Sequence, residues 1–129
     1  MKKPNYVLDS YALLAYFQAE PAGLTVKELL KESRAGEVLT FLSLINLGEI
    51  LYIVGRKWGD EAAGEILNDL ARLPVHLAEV TRERVVAAAH IKARHAIAYA
   101  DCFAVALAQE LSATLVTGDP EFKEVEPLV

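Results

Sequence analysis

The chain has 129 residues, 53% of them apolar and 24% charged, a size for one domain spanning residues 1–129 and a composition that excludes disordered and collagen-like chains. Thirteen basic residues stand against 18 acidic ones, for a net charge of −5, which argues against gripping nucleic acid through a broad positive surface. The lone cysteine, Cys102, rules out an internal disulfide and suits a reducing cytosol.

In chain order, Asn5-Tyr6-Val7-Leu8 reads as a short strand that stops at Asp9. Ser10 to Gln18 has Leu13, Leu14 and Phe17 at helical spacing, and a second helix is expected from Thr25, where Thr25-Val26-Lys27-Glu28 has the pattern of a capping box. Gly36 suits its C-terminal cap. Val38 to Leu42 is the second strand, with Ser43 placed to cap an apolar helix over Leu44 to Trp58 that Gly59 closes. Asp60 is expected to cap a fourth helix that ends before Pro74. Val75-His76-Leu77 is a brief strand, Thr81 opens a helix through His95, Asp101 to Leu111 forms a further helix, and Thr114 to Thr117 the last strand. A turn or short helix from Asp119-Pro120 and a tail over Val125 to Val129 complete the chain.

Short strands alternating with helices predict an α/β three-layer sandwich, with a central parallel β-sheet flanked by α-helices. The most apolar stretch, Leu39 to Val54, is interrupted by Asn46, Gly48 and Glu49 and falls short of the roughly 20 residues a membrane-spanning helix needs. Asp9 likewise breaks the apolar stretch behind Lys2 and Lys3. A cytoplasmic protein without a membrane partner is expected.

Four carboxylates occupy unusual positions: Asp9 ends the first strand, Asp119 follows the last, Asp101 opens a helix, and Glu49 lies among Ile45, Tyr52 and Ile53 on an apolar helix face. Asp9, Asp101 and Asp119 also suit helix N-caps. Glu49 could snorkel or pair with an arginine, because an isolated buried charge is costly. In a parallel sheet Asp9 and Asp119 fall at the same end, where ligands sit. Four carboxylates meeting there would repel one another and call for a hard divalent cation, Mg²⁺ or Mn²⁺ rather than zinc.

Asn5-Tyr6-Val7-Leu8-Asp9-Ser10, Ser43-Leu44-Ile45-Asn46-Leu47-Gly48-Glu49-Ile50, Ala100-Asp101-Cys102-Phe103-Ala104-Val105-Ala106 and Leu115-Val116-Thr117-Gly118-Asp119-Pro120-Glu121-Phe122 resemble, in order, the motifs of PIN-domain ribonucleases. The length and spacing are similar to the VapC-type toxins of toxin–antitoxin pairs. The resemblance implies a PIN-like fold with Asp9, Glu49, Asp101 and Asp119 as the catalytic, metal-binding acids, supported by the Ser10 and Thr117 hydroxyls. It also implies hydrolysis of RNA phosphodiesters to 5′-phosphate and 3′-hydroxyl ends. Many relatives have Asp where this chain has Glu121, whose longer side chain puts a direct metal role there in doubt.

Arg56-Lys57-Trp58 offers two cations beside an aromatic ring, and Lys92 and Arg94 precede Asp101; these are the RNA-contact candidates, alongside Lys27, Lys31 and Arg34 on the second helix. A solvated helix face explains each of them better when it is taken singly. His90 and His95 are too far out of helical phase for a zinc pair, Cys102 reads as a small core residue, and no nucleophile elbow or phosphate loop is present. Relatives also imply a cognate antitoxin and a homodimer. Two alternatives stay open: a catalytically silent PIN-like scaffold that binds a protein partner, and a small-molecule phosphatase with Asp9 as nucleophile. Tyr11 stands where such phosphatases place a second Asp.

Overall fold

The computed structural model describes residues 2–117. In chain order its elements are β1 (Asn5–Leu8), α1 (Ser10–Phe17), α2 (Gly23–Arg34), β2 (Leu39–Ser43), α3 (Leu44–Trp58), α4 (Asp60–Arg72), β3 (Val75–Ala78), α5 (Arg82–Lys92), α6 (Tyr99–Leu111) and β4 (Thr114–Val116). The strands form one parallel sheet in the order β3-β2-β1-β4, with Tyr6 opposite Thr40 and Val7 opposite Leu115. The expected three-layer α/β sandwich is therefore present.

Strand pleating sends alternate side chains to opposite faces. Leu8 and Leu42 pack with Leu13, Val26, Ile50 and Leu70 of the α1–α4 layer, whereas Val7 and Ala78 pack with Ala104 and Leu107 of α6. Both faces of the central strands are covered, so Val7 and Leu8 are buried in succession on β1 instead of alternating with exposed residues. Ala88 and Ile91 of α5 join Phe103 and Val105 of α6 in the outer part of that second layer.

Several boundaries differ from expectation, each for a local reason. The capping box at Thr25 does not operate: α2 starts two residues earlier, at Gly23, with no side-chain cap. A Cβ on Gly23 would lie 2.5 Å from the Ala15 carbonyl oxygen, so close packing of α2 on α1 selects the start of the helix. At its other end Gly36 adopts φ +80°, and Glu37 N–H donates to the Glu32 carbonyl at 2.9 Å, a Schellman-type closure as expected. Asp60 is the first residue of α4, not its cap; Gly59, at φ +95°, holds that position. Helix α5 ends at Lys92, before His95, where the chain tightens through Arg94 N–H to the Ile91 carbonyl and the Lys92 ammonium donates to the Ile97 carbonyl at 2.6 Å. Ser43 and Thr81 cap α3 and α5 as expected, accepting from Ile45 N–H and Arg84 N–H. The predicted turn from Asp119-Pro120 and the tail over 125–129 lie outside the described residues. Among those described, no helix is long and apolar enough to cross a membrane.

Candidate active site

β1 is flanked by β2, the next strand in sequence, and by β4, the last. The winding therefore reverses between β1 and β4, and the crevice beyond their carboxyl ends is where open α/β sheets bind ligands. Asp9 and Thr117 are the first residues past those two strands.

Asp9 is fully buried. As N-cap of α1 it accepts Ala12 N–H on Oδ1 at 2.7 Å, and the Thr117 hydroxyl donates to its Oδ2. Its own N–H continues the ladder by donating to the Val116 carbonyl at 3.3 Å. The capping and site roles thus coincide, and the carboxylate is held from two directions at the switch crevice.

Asp101 does not open α6. The helix starts at Tyr99, after an Ala98 N-cap that offers no side-chain bond, so Asp101 lies within the first turn and is only 1% exposed. This removes the capping explanation for Asp101. Glu49 is 8% exposed on α3, and its Oε1 has no hydrogen-bond partner among the described residues. None of the ion pairs found there includes it, since they join Lys31 to Glu28, Arg72 to Asp69 and Arg84 to Glu110. An arginine partner does not account for Glu49 among the described residues.

A relay ties these elements together. The Ser10 hydroxyl donates to the Asn46 carbonyl at 3.2 Å, while the Asn46 amide donates to Ser10 Oγ and to the Ala100 carbonyl, both at 3.2 Å. Ser10 follows Asp9, Ala100 precedes Asp101, and Glu49 lies one helical turn beyond Asn46. Asp9, Glu49 and Asp101 are thus carried by three elements joined through one buried amide. The sequence reading gives Asn46 no role, although an amide in an otherwise apolar helix one turn before Glu49 is a visible signal.

Among the described residues, no three His, Cys, Asp or Glu side chains close into a ligand set; the fourth carboxylate, Asp119, and Glu121 lie outside them. The donor chemistry nonetheless fits a hard divalent cation, because Asp9, Asp101 and Glu49 are buried carboxylates and Glu49 keeps an oxygen that no described residue satisfies.

The other candidates are more dispersed. On α3, Tyr52 and Arg56 continue the helical stripe that starts at Glu49. The Arg56 guanidinium lies 5.2 Å over the Tyr52 ring, and the Lys57 ammonium 5.3 Å from the Trp58 ring, all on exposed surface. Lys92 is committed to the Ile97 carbonyl, and Arg94 donates to the His90 carbonyl at 3.0 Å. Burial pushes the Cys102 thiol up, against a smaller opposing pull from Lys92, as befits an unreactive core residue.

A family model described as the PIN domain matches residues 6–127, so the chain belongs to the PIN domain family. Solved structures similar to it include the Mycobacterium tuberculosis toxin VapC20, which cleaves the sarcin–ricin loop, at 19% identity and TM-score 0.72, covering 95% of each chain. Another is VapBC2 from Rickettsia felis bound to a promoter DNA fragment, at 20% identity and TM-score 0.73, covering 97% of this chain and 96% of that one. A third is DNA-bound VapBC from Salmonella typhimurium, at 13% identity and TM-score 0.74, covering 95% and 93%. No curated protein sequence matches the chain significantly.

Proposed function

We propose that this protein is a Mg²⁺- or Mn²⁺-dependent endoribonuclease of the VapC type, the toxin of a toxin–antitoxin pair. The observation that carries the reading is the buried acidic end of the sheet, where Asp9 is braced at the switch crevice, Asp101 is buried in the first turn of α6, and Glu49 keeps an oxygen that no described residue satisfies. Asp9, Asp101, Glu49 and Asp119 would hold the cation. When bound, it supplies Lewis acidity toward the phosphodiester and a water of lowered pKa.

The chain's own residues do the positioning. Ala12 N–H and the Thr117 hydroxyl each engage one oxygen of Asp9 and limit its rotation. Tyr52 and Arg56 extend from Glu49 along α3, about 10 Å from Glu49 to Arg56 by helical rise. Their cation–aromatic pairing offers a base-stacking platform beside a phosphate contact. Lys57 with Trp58 repeats that arrangement at the end of the helix. Lys92 and Arg94 act mainly by bracing the segment that leads into α6.

A groove lined by Tyr16, Leu30 and Leu73 and rimmed by Lys27, Lys31 and Arg34 would seat an apolar, acidic segment of a cognate antitoxin. The toxin–antitoxin complexes among the similar structures support an antitoxin partner. Exposed Leu67 on α4 supplies apolar area for a homodimer.

The test is cleavage of RNA by the purified protein with Mn²⁺, with chelator, and as Asp9→Asn. Cleavage is expected only in the metal-loaded parent, leaving 5′-phosphate ends. Equal cleavage by Asp9→Asn would place the chemistry elsewhere, and a parent inert with Mn²⁺ would leave a catalytically silent scaffold.

A further inference from the structure

The most constrained polar side chain at this end of the molecule belongs to Asn46, which is fully buried and carries no charge for a metal to use. Its Nδ2 donates to Ser10 Oγ and to the Ala100 carbonyl, each at 3.2 Å. A carbonyl only accepts, so the contact to Ala100 fixes the amide with its nitrogen toward α6. The Ser10 hydroxyl spends its single proton on the Asn46 backbone carbonyl at 3.2 Å, which leaves its lone pair for the amide. These partners are 36 and 54 residues away in sequence, and each is the immediate neighbour of a site carboxylate, Asp9 or Asp101. The clamp therefore joins the first turns of α1 and α6. Asn46 Oδ1 and Glu49 Oε1, both buried without a hydrogen-bond partner among the described residues, fall one turn apart on α3. An amide kept only for stability would be expected to satisfy its own acceptor as well, since an unmade buried bond is costly.

We propose that Asn46 is a positioning residue: its amide holds the start of α1 against the start of α6, sets the separation of Asp9 and Asp101, and so raises affinity for a divalent cation. The inference rests on the reading of this site as the metal centre of a nuclease. Two acidic groups carried by separate helices repel one another, and a neutral donor that bridges the adjoining backbone opposes their drift apart without adding charge. Polar partners that orient metal ligands in this way are worth about 10–100-fold in metal affinity or activity.

The experiment is calorimetric titration of Mn²⁺ into the parent, Asn46→Ala, Ser10→Ala, Asp9→Asn and Thr40→Val, with thermal unfolding of each in the absence of metal. Thr40 is an equally buried hydroxyl that bonds the Pro74 carbonyl at 2.8 Å, so Thr40→Val reports loss of a buried hydrogen bond away from the site. Asn46→Ala is expected to weaken Mn²⁺ binding by about tenfold or more and to lower kcat while KM for RNA stays near that of the parent. Thr40→Val is expected to unfold at lower temperature and bind Mn²⁺ as the parent does. Ser10→Ala removes half of the clamp and should give a smaller loss in the same direction, which keeps the proposal testable if Asn46→Ala does not fold. Parent-like Mn²⁺ affinity in folded Asn46→Ala, or in Ser10→Ala if that is the variant that folds, overturns the proposal. If Asp9→Asn loses Mn²⁺ in the same experiment, the metal-site reading survives that result. A parent that binds no Mn²⁺, or an Asp9→Asn that binds it undiminished, overturns both.

Discussion

The two ends of the parallel sheet solve the burial of polar groups in opposite ways. At the amino ends of the strands, the Thr40 hydroxyl donates to the Pro74 carbonyl at 2.8 Å, Ser33 Oγ donates to the same oxygen at 3.0 Å, and the two hydroxyls lie 3.3 Å apart. Arg34 reaches the Arg72 carbonyl at 3.3 Å and the Asn5 amide the Leu111 carbonyl at 3.2 Å. The groups there are neutral hydroxyls and amides or an exposed guanidinium, and of their buried atoms Asn5 Oδ1 alone lacks a partner among the described residues. At the carboxyl ends, Asp9, Asp101, Glu49 and Asn46 are buried, and Glu49 Oε1 and Asn46 Oδ1 find no hydrogen-bond partner among the described residues. At one end neutral polar groups satisfy one another, whereas the other buries acidic groups with acceptors that no described residue pairs, the feature on which the proposed cation site rests.

The contrast can be broken most severely at Asp9. Asp9→Asn preserves the shape of the N-cap and should reduce metal-dependent RNA cleavage more than about a hundredfold, beyond what orienting residues contribute. Unfolding of the metal-free variant should stay close to that of the parent, because Asn caps a helix as well as Asp. At Glu49 the sign of the stability effect should reverse. Glu49→Met keeps the volume while removing a buried unsatisfied acceptor, and should raise metal-free stability by about 1–3 kcal/mol in denaturant unfolding while weakening Mn²⁺ binding. At the amino ends of the strands, Thr40→Val should cost about 1 kcal/mol in the same unfolding experiment and leave cleavage unchanged.

The smallest effect is expected away from both ends, where Arg84 on α5 grips Glu110 on α6 through two bonds of 3.0 Å. The hydrogen bond from Arg84 holds the Glu110 carboxyl below its ordinary value. Its contribution is therefore fully present above the ordinary carboxylate range and lost as pH falls through the depressed folded value. Because the Glu110 side chain is 46% exposed, screening keeps the contribution below about 1 kcal/mol. Glu110→Gln should flatten the acid limb of a stability-versus-pH curve by that amount.

Much of this arrangement was legible because local chemistry and tertiary need agree. Ser43 and Gly59 bracket α3 at the residues expected, and four apolar runs became four parallel strands. Thr25 and Asp60 misled because a good capping side chain yields to backbone packing, as at Gly23, or to a left-handed glycine next door, as at Gly59. Asp101 was recognisable as important but not placeable, since Ala98 starts α6 with no polar cap to announce it. The role of Asn46 was hidden for a different reason: one of its partners is a backbone carbonyl 54 residues away, and a carbonyl has no sequence signature.

If a divalent cation completes the acidic end of the sheet, as proposed, Mn²⁺ stabilises the folded protein through Asp9. Thermal unfolding of the parent and of Asp9→Asn, with and without Mn²⁺, tests it directly. At a hundredfold excess over its dissociation constant, a ligand specific for the folded state adds about 2.7 kcal/mol. The account predicts a rise of that order in the parent and little or none in Asp9→Asn. An unfolding temperature indifferent to Mn²⁺ in the parent, or raised equally in both proteins, would contradict it.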